Sequence, residues 1–152
     1  MERIWIYQSN QELSQAQEQR ILEDMGAFLE QWKAHGKPLS AGVEVRFRRF
    51  VVIRLDERAA KATGCSIDRC VRELKSLQEA LGIDLFDRMQ VAYRDKDTLK
   101  VVSRAAFKDL IQQGIVHADT IVFNNMVDNT EDYAQRWELP LKDSWHARVF
   151  KL

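Results

Sequence analysis

Two cysteines and three histidines carry the nucleophilic, redox and proton-transfer chemistry of this sequence, and their spacing decides what they could do. Cys65 lies in Gly64-Cys65-Ser66-Ile67-Asp68, where an amphipathic pattern begins. A thiol facing the positive end of a helix ionises more easily than a free one. Ser66 is the expected N-cap, with Cys65 just outside the helix. Paired with His146, and with His35 or Asp143 as orienter, Cys65 would form a nucleophile and base if the fold joins these distant segments. Cys65, His146 and His35 are therefore the candidate catalytic residues. The competing role for Cys65 is a small buried residue at a tight helix entry. Cys70 falls on the apolar stripe with Leu74 and Leu77 and reads as core.

Metal chemistry has no support in the spacing. His35, His117 and His146 are scattered, with no H-x-x-x-H and no paired C-x-x-C, so neither a metal site nor a cofactor is expected. Glu44, Asp56 and Glu57 would make a carboxylate cluster if their strand ends meet, and otherwise are solvated termini. Arg46-Phe47-Arg48-Arg49-Phe50 is the densest basic and aromatic mixture, so Arg46, Arg48 and Arg49 are the candidate surface or nucleic-acid patch. An open sheet face carrying Trp5 and Tyr7 would offer stacking for bases. The charge balance of 23 basic against 23 acidic residues opposes that use, and the Lys/Arg-Gly-aromatic run of RNA-recognition motifs is absent.

These residues need elements to position them. Ile4-Trp5-Ile6-Tyr7 predicts a strand with its isoleucines on one face and its aromatics on the other. Ser14 and Gln17 form a capping box for a helix whose stripe is Ile21, Met25, Phe28, Leu29 and Trp32, ending near His35-Gly36 with Pro38 just beyond. Val43, Val45 and Phe47 alternate with charged residues, predicting a strand with one dry face and a tight reversal near Arg48 that lacks Asn-Gly. Phe50 to Leu55 is nearly continuous apolar sequence, as in a central strand covered on both faces. A helix over Cys70, Val71, Leu74, Leu77 and Leu81 stops at Gly82, and Met89 to Tyr93 follows as a fourth strand before an Asp95-Lys96-Asp97 turn. Strand, helix, strand, strand, helix, strand is the order of a ferredoxin-like split βαβ, an α+β fold with both helices on one face of an antiparallel sheet.

That core is expected over residues 1–94. The remainder, 95–152, reads as an extension packed on it: a strand over 99–102, a helix from Arg104 closed by Gly114, a strand over 120–123, a short helix capped by Asn129 or Thr130, and a last strand from Trp145 to Phe150. At 152 residues the chain has the size of one domain. Two cysteines five positions apart face different ways and suggest reduced thiols, and no apolar run resembles a secretion signal or membrane span. The expected home is the cytoplasm.

Six segments together carry a resemblance: Trp5-Ile6-Tyr7-Gln8-Ser9, Trp32-Lys33-Ala34-His35-Gly36, Gly64-Cys65-Ser66-Ile67-Asp68, Leu85-Phe86-Asp87-Arg88, Ile121-Val122-Phe123-Asn124-Asn125, and Lys142-Asp143-Ser144-Trp145-His146-Ala147-Arg148. Over nearly its whole length the chain resembles a small family of Bacteroidetes proteins of uncharacterised chemistry, whose members often bear the automatic label "ABC transporter ATPase". The residues oppose that label. No G-x-x-x-x-G-K-[ST] run is present to wrap phosphates, and no Leu-Ser-Gly-Gly-Gln signature occurs. The expectation from the sequence is a non-enzymatic binding or adaptor domain that meets a protein partner or a second copy through a sheet edge. A cysteine-dependent enzyme or redox sensor built on Cys65 is the alternative.

Overall fold

The computed structural model describes residues 2–152. Its elements run β1 (Glu2–Gln8), α1 (Gln15–Glu30), a two-residue ladder of β2 (Lys33–Ala34) and β3 (Lys37–Pro38), β4 (Ser40–Arg46), β5 (Phe50–Asp56), α2 (Gly64–Leu81), β6 (Gln90–Asp95), β7 (Thr98–Ser103), α3 (Arg104–Gln112), β8 (Ile121–Phe123), α4 (Thr130–Arg136), β9 (Glu138–Pro140), a 3-10 turn over Leu141–Asp143, and α5 (Trp145–Val149). The architecture is mixed α+β with antiparallel sheets, in the order β1-β5-β4 and β7-β6-β8-β9.

Alternation along the strands sorts the side chains into layers. Val51, Ile53 and Leu55 of β5 turn toward Ile21, Met25 and Leu29 of α1 and toward Cys70, Leu74 and Leu77 of α2. Ile4, Phe50 and Val52 turn the other way, onto Ala92 and Phe123 of the second sheet. The far side of that sheet, Val91, Tyr93 and Val122, is closed by Phe107 of α3, Leu141 and Phe150. The sequence of layers is helix, sheet, sheet, helix. Central β5 thus has both faces dry, and each of its large apolar side chains gains roughly 1.5–3 kcal/mol from burial.

Several expectations change here. The four-stranded split βαβ sheet does not form, because the strand expected as its fourth member, β6, pairs with β7 and β8. A short hairpin through Asp95-Lys96-Asp97 closes more easily than a return to β1 across α2. The outer edge of β1 is met instead by the 128–129 segment, where Ile4 N–H donates to the Asp128 carbonyl at 2.9 Å and Arg3 bridges Asn129. Trp5 and Tyr7 lie on no open face: they sit beneath the helices, 6.3 Å from Trp32 and 5.4 Å from Phe86 between ring centroids. The expected closing strand from Trp145 is the helix α5, capped by Ser144, whose Oγ accepts from His146 N–H at 3.2 Å. A six-residue apolar pattern fits period 2 and period 3.6 almost equally, and the serine cap decides between them.

α1 also stops earlier than expected, at Glu30. Trp32 leaves the helix to donate from Nε1 to the Ser66 carbonyl at 2.8 Å. His35 and Gly36, at φ 51° and 77°, then form the tip of the β2–β3 hairpin. Pro38 accordingly belongs to β3.

Candidate functional site

Of the expected catalytic residues, His146 stands apart from the other two, in a different layer from Cys65 and His35. Thr63 is the N-cap of α2, accepting from Ser66 N–H at 3.2 Å, while Ser66 returns the bond as the third helical residue and is buried. Cys65 therefore lies inside the first turn, exposed. His35 lines a recess of about 360 Å³ with Lys37, Glu57, Arg58 and Lys61, and Cys65 is not among the lining residues. His146 is on α5, in the opposite outer layer, with both sheets between it and α2. It is 2% exposed, its ring stacks on Trp145 at 3.8 Å, and Nδ1 lies 3.1 Å from Ser144 Oγ. That hydroxyl donates to the Leu141 carbonyl at 3.0 Å, so it serves as a cap. Burial, and then the Arg104 cation, pull the imidazole down to about 4. Burial pushes the Cys70 thiol up to about 12, an inert core group.

The carboxylates expected as a cluster are separately engaged. Asp56 is held by Arg58 at 2.5 Å, which lowers its carboxyl to about 2; Glu57 meets Arg3 at 3.7 Å, and Glu44 meets Arg54 at 3.1 Å. No group of three or more His, Cys, Asp and Glu residues that could hold a metal ion occurs among the described residues.

The three arginines of the expected patch point apart. Arg48 reaches Glu18 of α1 at 3.8 Å. Arg49 is half-buried with Nη1 unpartnered, and burial lowers its pKa. Arg46 alone turns toward α4, into the site with the richest chemistry in the molecule.

That site is built by β4, β5 and α4. Strand alternation puts Glu44, Arg46 and Arg54 on the face of the first sheet that looks toward the second. Asn129 caps α4, accepting from Asp132 N–H at 2.8 Å, and the helix carries Tyr133 and then Trp137 over that face. Tyr133 Oη accepts from Arg46 at 2.8 Å and donates to Glu44 at 2.9 Å. Burial, followed by the Glu44 carboxylate, raises the phenol's pKa. Trp137 donates from Nε1 to Asn125 at 2.9 Å, and Asn125 in turn donates to Gln8 at 2.9 Å. Phe50, Phe123, Tyr133 and Phe47 surround the indole with centroids 5.0–5.8 Å away. Between Tyr133, Trp137, Arg46, Arg54, Thr130, Ala134 and Glu138 lies a cleft of about 240 Å³.

The turn that delivers Phe47 to this cluster is strained. Arg49 N–H donates to the Arg46 carbonyl at 3.0 Å, and the two residues between them, Phe47 and Arg48, have φ 56° and 53°. Left-handed backbone costs a non-glycine residue roughly 1–2 kcal/mol. Bonds from Ser9 and Leu13 N–H to the carbonyls of Arg49 and Arg48, both 2.7 Å, and the stack of Phe47 on Trp137 offset it.

β4 has a second exposed asset. It ends the order β1-β5-β4, so its outer edge has no strand partner among the described residues, over seven residues without proline or lysine. Sequence reasoning named Arg46 but missed Arg54, Tyr133 and Glu138, which line the same cleft. The available signal was the alternation of Glu44, Arg46 and Arg54 onto one face. No family model, curated protein or solved structure matches the chain.

Proposed function

We propose that the protein is a non-enzymatic binding module that associates with a second copy of itself through the open edge of β4, in the cytoplasm. The carrying observation is that edge: a seven-residue strand with outward N–H and C=O groups and none of the proline, lysine or short length that normally blunts an edge. Antiparallel self-pairing centred on Val43 places Val43 opposite Val43, Ala41 opposite Val45, Gly42 opposite Glu44 and Ser40 opposite Arg46. Small residues then face large ones, and no directly opposed pair has like charges. The result is a six-stranded sheet.

The separation of the buried His146 from Cys65 by both sheets supports the non-enzymatic reading. Exposure of Cys65 in the first turn of α2 is the observation favouring a thiol-based role, and Cys65 does not line the recess that holds His35. A cytoplasmic home rests on two unpaired cysteines. No helix among the described residues is long and apolar enough to cross a membrane. We place the chain with the Bacteroidetes family it resembles, and read residues 2–81 as a ferredoxin-like split βαβ unit lacking its fourth strand; the order β1-β5-β4 with both helices on one face supports this.

Light scattering on size-separated protein tests the association. Gly42→Glu sets a carboxylate opposite Glu44 of the other copy at two symmetric positions, and Gly42→Gln sets a neutral side chain of the same size there. A Cβ at residue 42 meets nothing within 4 Å, so both variants are expected to keep the fold. The parent protein and Gly42→Gln are expected as dimers and Gly42→Glu as a monomer. A monomeric parent, or equal behaviour of the two variants, defeats the proposal.

A further inference from the structure

The cleft under α4 contains a cation with no ion-pair partner among the described residues. Two guanidinium groups line the cleft, and one of them, Arg54, is paired with Glu44 at 3.1 Å; the carboxylate on its wall, Glu138, is held by Arg94 at 2.5 Å. Arg46 has no carboxylate within ion-pairing distance among the described residues; its one side-chain hydrogen bond there goes to Tyr133 Oη. Its guanidinium carbon lies 5.0, 5.6 and 5.2 Å from the ring centroids of Phe47, Tyr133 and Trp137. Aromatic faces hold such a group in place without cancelling its charge, and the planar fork keeps N–H donors free for a carboxylate.

We propose that this cleft binds a flat organic monoanion, an aromatic or heteroaromatic carboxylate, with its carboxylate on Arg46 and its ring against Trp137 and Tyr133. The size of the cleft, about 240 Å³, suits one ring and one anionic group. The charge balance sets the charge of the ligand. With Glu44 and Glu138 each paired to an arginine, Arg46 is, among the described residues, the one unpaired cation lining the cleft, which a monoanion neutralises and a dianion such as phosphate exceeds. Thr130 on the rim adds a hydroxyl that can donate to the second carboxylate oxygen. This inference is independent of the pairing along β4, since the cleft lies on the sheet face.

Titration of the full chain with benzoate, benzyl alcohol and inorganic phosphate, followed by amide and tryptophan indole NMR shifts, tests it. Benzoate is expected to saturate shifts at Trp137 and Tyr133, with benzyl alcohol and phosphate at least tenfold weaker. Arg46→Gln should weaken benzoate at least tenfold. Ala134→Leu, an exposed change that fills the cleft and leaves Arg46 in place, should do the same with an unchanged fold by circular dichroism. Equal responses to benzoate and benzyl alcohol, a stronger response to phosphate, or undiminished benzoate binding in folded Ala134→Leu would overturn the proposal.

Discussion

At the scale of single residues, environment separates groups that look alike in sequence. Cys65 and Cys70 are five positions apart, yet one thiol is exposed at the start of α2 and the other is 4% exposed among Leu74 and Leu77. Native protein treated with iodoacetamide is expected to gain one alkyl group, on Cys65, with Cys70 reacting only after unfolding. Peptide mass mapping checks this, and rapid modification of Cys70 in native protein contradicts it. His146 gives a pH dependence of defined sign. Its folded pKa, about 4, lies below the unfolded value near 6.5, so the unfolded chain binds the proton more readily. The stabilisation is complete above about 6.5 and is lost as pH falls toward 4. From pH 7.5 to 4.5 the unfolding free energy should drop by roughly 2–3 kcal/mol on this account alone. Depressed carboxylates such as Asp56, held near 2 by Arg58, act only below that window. His146→Gln should flatten the slope in urea titrations; an unchanged slope would assign it elsewhere.

At the scale of elements, local signals mostly agree with the fold, and the exceptions are instructive. The Ser14–Gln17 box, the stop of α2 at Gly82, the turn at Lys96 and the end of α3 before Gly114 were legible, because each depends on one or two residues and the backbone next to them. The alternation of Ile4 and Ile6 against Trp5 and Tyr7 was legible too. What covers the isoleucines was not, since it depends on pairing residues 2–56 with residues beyond 90. Nor was the register of Thr63 over Ser66, where two hydroxyl residues three apart cap each other and either reads as the cap. The β4–β5 reversal hid its nature because Phe47-Arg48 stands where Asn-Gly is usual. Arg48 is exposed at φ 53°, and its contact with Glu18 is long. Arg48→Gly should therefore stabilise the protein by about 0.5–1 kcal/mol, read from the urea midpoint, despite losing an ion pair. Destabilisation would mean that the Arg48 side chain contributes more than its backbone costs.

At the scale of the whole molecule, two sheets back to back between helical layers leave little apolar face uncovered, which directs recognition to edges and clefts. The layering follows from two residue sets on β5, with Val51, Ile53 and Leu55 facing the helices and Phe50 and Val52 facing the second sheet. It also explains why the thiol and the buried imidazole cannot act together: each belongs to a different outer layer. β4 belongs to both proposed sites, with no strand partner on its outer edge among the described residues and Arg46 lining the cleft. Amide hydrogen exchange across residues 40–46 at low and high protein concentration tests the self-pairing most directly, with the unpaired β7 edge as internal reference. The account expects the outward amides of β4 to slow markedly as concentration rises while those of β7 stay fast; exchange of β4 as fast as β7 at every concentration would contradict it.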